Sequence, residues 1–343
     1  MKPPQWKGNP MKPFDDLLAR AQQTPRHIAL AEGDDPRVIE GALRALRQGV
    51  ASITLIGPEA AIRAQLKSQN IGNVPLRLVD PATTPHSERY AHELFALRRA
   101  KGVDLETARL AARDPLYHSA LMVRLGEADG CVGGAVATTA ATVRAALQVI
   151  GPTADCNLVS SFFIMMLCEP HHELLKGAMI FADCGLNVSP NADELAQIAI
   201  SSADSARNLL HLEPKVAMLS FSTSGSASHP LVEKVLAATN IVRTARPDLI
   251  IDGDIQLDAS LAPEIRARKM SGSVIAGYAN VLIFPDLEAG NIGYKMAERL
   301  GRAKAIGPIL QGLARPANDL SRGCNADDVF RMIVVTVAQC NTL

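Results

Sequence analysis

Short apolar runs alternate with longer stretches of helical period along almost the whole chain, and this alternation is the strongest constraint on its fold. Strand-like runs fall at residues 27–31, 52–56, 76–79, 130–136, 158–163, 177–182, 216–221, 249–255, 281–284 and 305–310. Helical patterns occupy 35–48, 87–100, 105–112, 119–125 and 139–150, and helices of about 12 to 20 residues fill the later gaps. Parallel neighbours need a crossover of a dozen or more residues, usually a helix, so the pattern predicts an α/β protein with mainly parallel sheets.

At 343 residues the chain exceeds the size at which a single core stops growing, which predicts two α/β domains. Pro152 with the polar stretch 153–157 marks one boundary, and the stretch 313–318 containing Pro316 marks another. The simplest arrangement is a first domain from 11–152 rejoined by 316–343, with a second domain, 153–315, inserted between. Each is expected to be a three-layer α/β/α unit, the two facing a cleft.

Lys plus Arg equals Asp plus Glu at 35 each, so no overall field draws the chain to nucleic acid or an anionic membrane; an anionic ligand must be held by a few placed cations. The longest uncharged apolar stretch, 156–168, is too short to cross a bilayer. Residues 1–10 are polar and contain proline, unlike a signal peptide, and Met11 is a plausible start. The six cysteines are scattered without a C-x-x-C pair, which suits a reducing compartment, so a cytoplasmic protein is expected.

Several chemistries are absent from the pattern. No two glycines are separated by one residue, so there is no dinucleotide fingerprint. The G-x-x-x-x-G spacings at Gly272–Gly277 and Gly307–Gly312 are followed by Tyr278 and Leu313 where a P-loop needs Lys. A G-x-S-x-G elbow is missing. Cys168, His171, His172 and Glu173 match no zinc spacing and, with Pro170, read as a solvated loop, so no metal site is expected. The tract from Ser220 to His229 lies between a strand and a helix at Pro230, where N–H groups and hydroxyls hold either an anion or merely the turn.

Near the C-terminus, Gly307-Pro-Ile-Leu-Gln-Gly312 precedes Pro316-Ala-Asn-Asp-Leu-Ser-Arg-Gly-Cys324 and Asp327-Asp328, and this run closely resembles the signature of the phosphate acetyl/butyryltransferase family. The resemblance continues upstream through Pro214–Ala227, Asp252-Gly-Asp-Ile-Gln-Leu-Asp258 and Ala279–Lys295, and with Ser160-Ser161 and the segment 139–150 it covers nearly the whole chain after Met11. It implies a fold like that of isocitrate and isopropylmalate dehydrogenases, a homodimer, coenzyme A, acyl phosphate and phosphate as substrates, and no tightly bound cofactor or catalytic metal. It further implies direct acyl transfer in a ternary complex. The family's catalytic Ser and Arg fall on Ser321 and Arg322, its catalytic Asp on Asp328, and its two further arginines on Arg98 and Arg144. Many members have His where this chain has Ala137 and an acidic residue where it has Ala141, which bears on acyl preference.

The residue types suit that chemistry. A thiol of pKa about 8.5 needs a base at neutral pH, a role for Asp328. Guanidiniums match phosphate oxygens in pairs, a role for Arg322, Arg144 and Arg98. A hydroxyl placed at the acyl oxygen stabilises developing charge by roughly 3–4 kcal/mol, a role for Ser321. Cys324 adjoins the site and is expected to be non-essential, though open to a thiol adduct. The competing reading is local: Asn325 and Asp328 have the spacing of a helix cap and its N3 partner. Butyryl transfer, a silent acetyl-CoA-sensing module, and a decarboxylating dehydrogenase using Asp252, Asp254 and Asp258 for metal are the rival functions.

Overall fold

A computed structural model describes residues 12–67, 69, 75–154, 156–168, 172 and 177–342. The lead-in 1–10 and the loop residues Pro170, His171 and Glu173 lie outside these. The chain begins with α1 (Lys12–Gln23), β1 (Arg26–Leu30), α2 (Pro36–Arg47), β2 (Ala51–Ile56), α3 (Glu59–Leu66), β3 (Leu76–Val79), α4 (Ser87–Arg98), α5 (Leu105–Ala112), α6 (Pro115–Arg124), β4 (Gly130–Gly133) and α7 (Thr139–Val149). The middle stretch carries β5 (Ser160–Leu167), β6 (Gly177–Ala182), α8 (Ala192–Leu210), β7 (Lys215–Leu219), α9 (Pro230–Ala245), β8 (Ile250–Ile255), α10 (Leu257–Leu261), α11 (Pro263–Lys269), β9 (Val281–Ile283), α12 (Leu287–Arg299) and β10 (Lys304–Gln311). It ends with β11 (Ala317–Asp319) and α13 (Ala326–Cys340).

The chain divides into two compact units, one made of Asp16–Asp155 with Leu313–Leu343, the other centred on Cys156–Gly312. Where the chain leaves and rejoins the first unit, Pro152 and Leu313 form an antiparallel bridge and the Ala314 N–H donates to the Gly151 carbonyl at 2.9 Å.

The sheet of the first unit has the order β11-β4-β1-β2-β3 and every pairing is parallel. Strand β4 is wholly buried and β1 is buried over its last three residues, as strands covered on both faces must be. Helices α2 and α13 pack closely because Gly41 leaves room: a Cβ there would lie 2.7 Å from the Cβ of Val329. Arg44 of α2 adds an ion pair to Asp327 and stacks 4.2 Å above the Phe330 ring.

In the other unit the order is β10-β5-β6-β9-β7-β8. Here β5 runs antiparallel to both β10 and β6, and the remaining pairs are parallel. Both units are therefore α/β with mainly parallel sheets, as the alternation predicts.

Three local expectations differ from the structure. The run 158–163 is β5 at Ser160–Leu167, extended because its later apolar residues pair with β6 out to Gly177. Helix α6 begins at Pro115 instead of 119, since Asp114 caps it by accepting from the N–H groups of Leu116 and Tyr117 and proline suits the first helical position. The run 130–136 stops as a strand at Gly133, because Gly134 turns left-handed at φ 96°.

Replacing Gly41 with Ala should lower unfolding stability by about 1–3 kcal/mol, the usual penalty for overfilling a tight contact, measured by chemical denaturation. A parental midpoint would show that α2 and α13 have slack at this crossing.

Candidate active site

The site residues that the family resemblance implies all lie in the first unit: Ser321, Arg322 and Asp328 follow β11, Arg144 follows β4 and Arg98 ends α4. After β1, Glu32 takes a left-handed conformation (φ 57°) and points its carboxylate at the turn after β4. Its oxygens accept the N–H groups of Ala135 at 2.6 Å, Val136 at 3.1 Å and Ala137 at 2.6 Å. The chain then enters α7 through Thr138, whose hydroxyl accepts from the Ala141 N–H.

The loop after β11 is fixed to the same turn. Leu320 N–H donates to the Gly133 carbonyl at 2.7 Å, and Cys324 N–H closes a turn on the Ser321 carbonyl at 2.8 Å. Arg37, on α2, ties the pieces together through its planar fork of donors. One terminal nitrogen donates to the carbonyls of Arg322 (2.8 Å) and Cys324 (3.0 Å). The other reaches the Ala135 carbonyl and the Asp35 carboxylate, both at 2.8 Å. That bond holds Asp35 below the usual carboxylate range and raises Arg37.

With its main chain held this way, the loop leaves Ser321 and Arg322 exposed. Among the described residues the Ser321 Oγ accepts only the Gly323 N–H, at 3.2 Å, and its own proton has no acceptor there. Among the described residues the Arg322 guanidinium has no carboxylate partner. Cys324 is buried, which pushes its thiol up to about 11; Arg37 opposes the shift, while Asp328, Asp35 and Glu32 add to it. Burial and that high pKa leave the thiol poorly placed for the adduct the sequence allowed.

Asp328 does take part in a helix cap. One of its oxygens accepts the Asn325 N–H at 3.0 Å while the Asn325 side chain accepts from Asp327 and Asp328 N–H groups. The other oxygen has no partner among the described residues, and the side chain is half-buried. The cap therefore uses half of this carboxylate.

Arg144 projects from α7 into solvent without an ion pair among the described residues. Arg98 ends α4, and its Nε is buried with no hydrogen-bond partner among the described residues. Burial raises the pKa of the Tyr117 hydroxyl of α6; the positive charges of Arg144 and Arg98 oppose the rise and Asp114 adds to it. The Tyr117 hydroxyl donates to Gln148 at 2.9 Å. Sequence reasoning missed Glu32, Arg37, Tyr117 and Asp319. Only Arg37 carried a signal, as part of Asp35-Pro36-Arg37 at a helix start.

Elsewhere, the tract at Ser220–His229 is a βα turn bonded largely to itself, through Ser222, Thr223 and Ser226. Asp252, Asp254 and Asp258 do not converge as ligands: Asp252 accepts from Ser273, Val274 and Ile275, Asp254 from Gly225, and Asp258 pairs with Lys269. Among the described residues no group of three or more His, Cys, Asp or Glu side chains is arranged to hold a metal ion.

Comparison with known proteins bears on what such a site does. Residues 14–337 match the family model described as phosphate acetyl/butaryl transferase. The chain belongs to this family. It is 50% identical to the phosphate acetyltransferase of Paracoccus denitrificans over 96% of this chain and 99% of that one. It is 44% identical to the Clostridium acetobutylicum phosphate acetyltransferase, over 95% and 98%. Among solved structures, a phosphotransacetylase from Streptococcus pyogenes superposes with a TM-score of 0.89 at 38% identity, over 96% of this chain and 98% of that one. Ala137 and Ala141 pack with Tyr117 against Ala31, Leu116 and Ala145 as an apolar patch.

Alkylation gives a direct check of the Cys324 environment. With the thiol protonated up to about pH 11, iodoacetamide at pH 7.5 should label Cys324 at least about tenfold more slowly than a free cysteine, and faster as pH rises. Labelling at the free-cysteine rate would place the thiol in an open, polar setting instead.

Proposed function

We propose that this chain catalyses reversible transfer of an acetyl group between coenzyme A and inorganic phosphate: acetyl-CoA plus phosphate gives coenzyme A plus acetyl phosphate. The observation that carries the reading is half identity to a phosphate acetyltransferase across nearly the full length of both chains, with the Ser321-Arg322-Gly323-Cys324 run and Asp328 present. The bonding supports the division of roles. Among the described residues Arg322 and Arg144 have no ion pair and offer their guanidiniums for phosphate, and Arg98 is assigned to the same task. Ser321 offers a hydroxyl proton to the acyl oxygen as charge develops there.

In the direction of acetyl-CoA formation, the open oxygen of Asp328 takes the thiol proton of coenzyme A, and the sulfur attacks the carbonyl carbon of acetyl phosphate. The C–S bond forms, the C–O bond to phosphate breaks, and the phosphate leaves toward the arginines. No covalent link to the protein is required, and no resident cofactor is needed. Release of coenzyme A from acetyl-CoA on adding phosphate tests the activity. A failure to release it would remove the assignment, and faster release from butyryl-CoA would redirect it to butyryl transfer.

Asp328→Asn separates cap from base. The amide oxygen still accepts the Asn325 N–H, so stability should fall by no more than about 1 kcal/mol. Turnover at pH 7 should fall by roughly 10²–10⁴, with partial recovery as pH approaches the thiol pKa. Retention of a tenth of parental turnover would leave the cap as the residue's only role. Ser321→Ala should lower kcat without an acyl-enzyme, so an acetyl group found on Ser321 by mass spectrometry during turnover would reverse the mechanism. Arg144→Ala and Arg322→Ala should raise the KM for phosphate or coenzyme A in a protein that melts like the parent.

The chain is further proposed to work as a cytoplasmic homodimer. Among the described residues no helix is long and apolar enough to cross a membrane, and Cys131, Cys156, Cys184, Cys324 and Cys340 carry free thiols. Ile292, Met296 and Leu300 form an exposed apolar stripe at four-residue spacing from α12 into its C-terminus, a surface that a second copy would cover. Met296→Glu should shift the solution mass by light scattering from two chains to one; an unchanged mass would remove α12 from the interface.

A further inference from the structure

Asp319 is the last residue of β11, fully buried, and used by no step of the proposed transfer. One carboxyl oxygen accepts the Thr139 hydroxyl at 2.7 Å, at the first turn of the helix that carries Arg144. The other has no partner in hydrogen-bond geometry among the described residues. The main chain of Gly134 passes so close that a Cβ there would lie 2.2 Å from that orphaned oxygen. Two residues later comes Ser321. A buried carboxylate with an empty acceptor costs more than a neutral carboxyl in the same place.

We infer that Asp319 is a positioning residue for the anion site: its buried carboxyl, bonded to Thr139 and two residues before Ser321, sets from behind both the spacing and the charge of the loops that hold phosphate. The inference rests on the acyl-transfer reading of the site. Burial raises the carboxyl to about 7; the hydroxyls of Thr139 and Thr142 on α7 oppose the rise, and Glu32 from the loop after β1 adds to it. From the β4–α7 turn the main chain of Gly134 faces it. In the neutral form the site carries one negative charge fewer and accepts a phosphate dianion. Loss of the proton to solvent places a second carboxylate beside Glu32, and phosphate binds more weakly.

Two signs follow. Because the folded pKa lies above the unfolded value near 4, the neutral carboxyl's contribution to stability is complete below pH 4 and is lost as pH rises through about 7. The same rise should weaken phosphate binding, by about threefold to tenfold for one added charge in a partly screened site.

The test compares the parent with Asp319→Asn, a neutral isostere, using inorganic phosphate as the probe. Phosphate affinity by calorimetry between pH 6 and 8.5 includes the titration of phosphate itself, which cancels in the ratio of the two proteins. That ratio should change by about threefold to tenfold in favour of the variant as pH rises, and the melting temperature of the variant relative to the parent should climb from pH 4 to 7 and then level. A ratio flat within about twofold overturns the inference, because a merely structural residue would alter melting temperature and kcat alike at every pH. Where Asp319→Asn does not fold, Thr139→Val removes the bond that favours the carboxylate and should move the loss of phosphate affinity to higher pH; an unmoved profile also overturns it. Calorimetry needs no turnover. A parent that binds phosphate without transferring acetyl would sink the activity while leaving this role standing, and a parent that binds no phosphate would sink both.

Discussion

The candidate site depends on one guanidinium. Arg37 joins four main-chain and side-chain acceptors from three loops: Asp35 at the start of α2, Ala135 after β4, and the carbonyls of Arg322 and Cys324 after β11. Those loops meet because the sheet order places β11, β4 and β1 side by side in parallel, so their carboxyl ends lie along one edge. Ligands of open α/β sheets gather at that edge. Arg37 converts the topological coincidence into a fixed arrangement, with the main chain of Arg322 held and its side chain left to solvent.

What the sequence reveals of this arrangement divides along physical lines. Strands such as β2 and β6 were legible because apolar runs of strand length are bounded by turn residues. β11 was not, since Ala317, Asn318 and Asp319 contain no apolar run. The strand is buried nonetheless, with Asn318 satisfied internally by Thr336 and Gln339. Polar groups that find partners only in three dimensions leave no trace in periodicity. The end of β4 was hidden for a related reason: nothing local announces that three consecutive N–H groups will turn to a carboxylate 103 to 105 positions away.

The site residues were legible through the motif alone. Composition and spacing do not separate Ser321 and Arg322 from an ordinary polar turn, and the structure agrees that the turn is ordinary in its own bonding. Their distinction is that their side chains are left over once that bonding is complete. Arg98 and Arg144 lie 46 positions apart, and that both bear on the charge of Tyr117 depends on how α4, α6 and α7 pack, which no sequence pattern encodes.

Under the proposed transfer, the commitments of the nearby carboxylates bear on which one is the base. Acids near the proposed anion site include Glu32, Asp35, Asp319, Asp327 and Asp328. Glu32 is occupied by three N–H groups, Asp35 by Arg37 and the start of α2, and Asp327 by Arg44 and Arg331. Asp319 is fully buried, out of reach of a thiol. Glu32, Asp35 and Asp327 are therefore spent on donors, and the unpaired oxygen of Asp319 is sealed from solvent. Asp328 alone of these combines partial exposure with an oxygen that has no partner among the described residues, while its other oxygen is fixed by the Asn325 N–H. A base must be both held and unspent, and the helix cap supplies the first condition without consuming the second. In the proposed mechanism, capping and proton transfer are then two uses of one carboxylate, one for each oxygen.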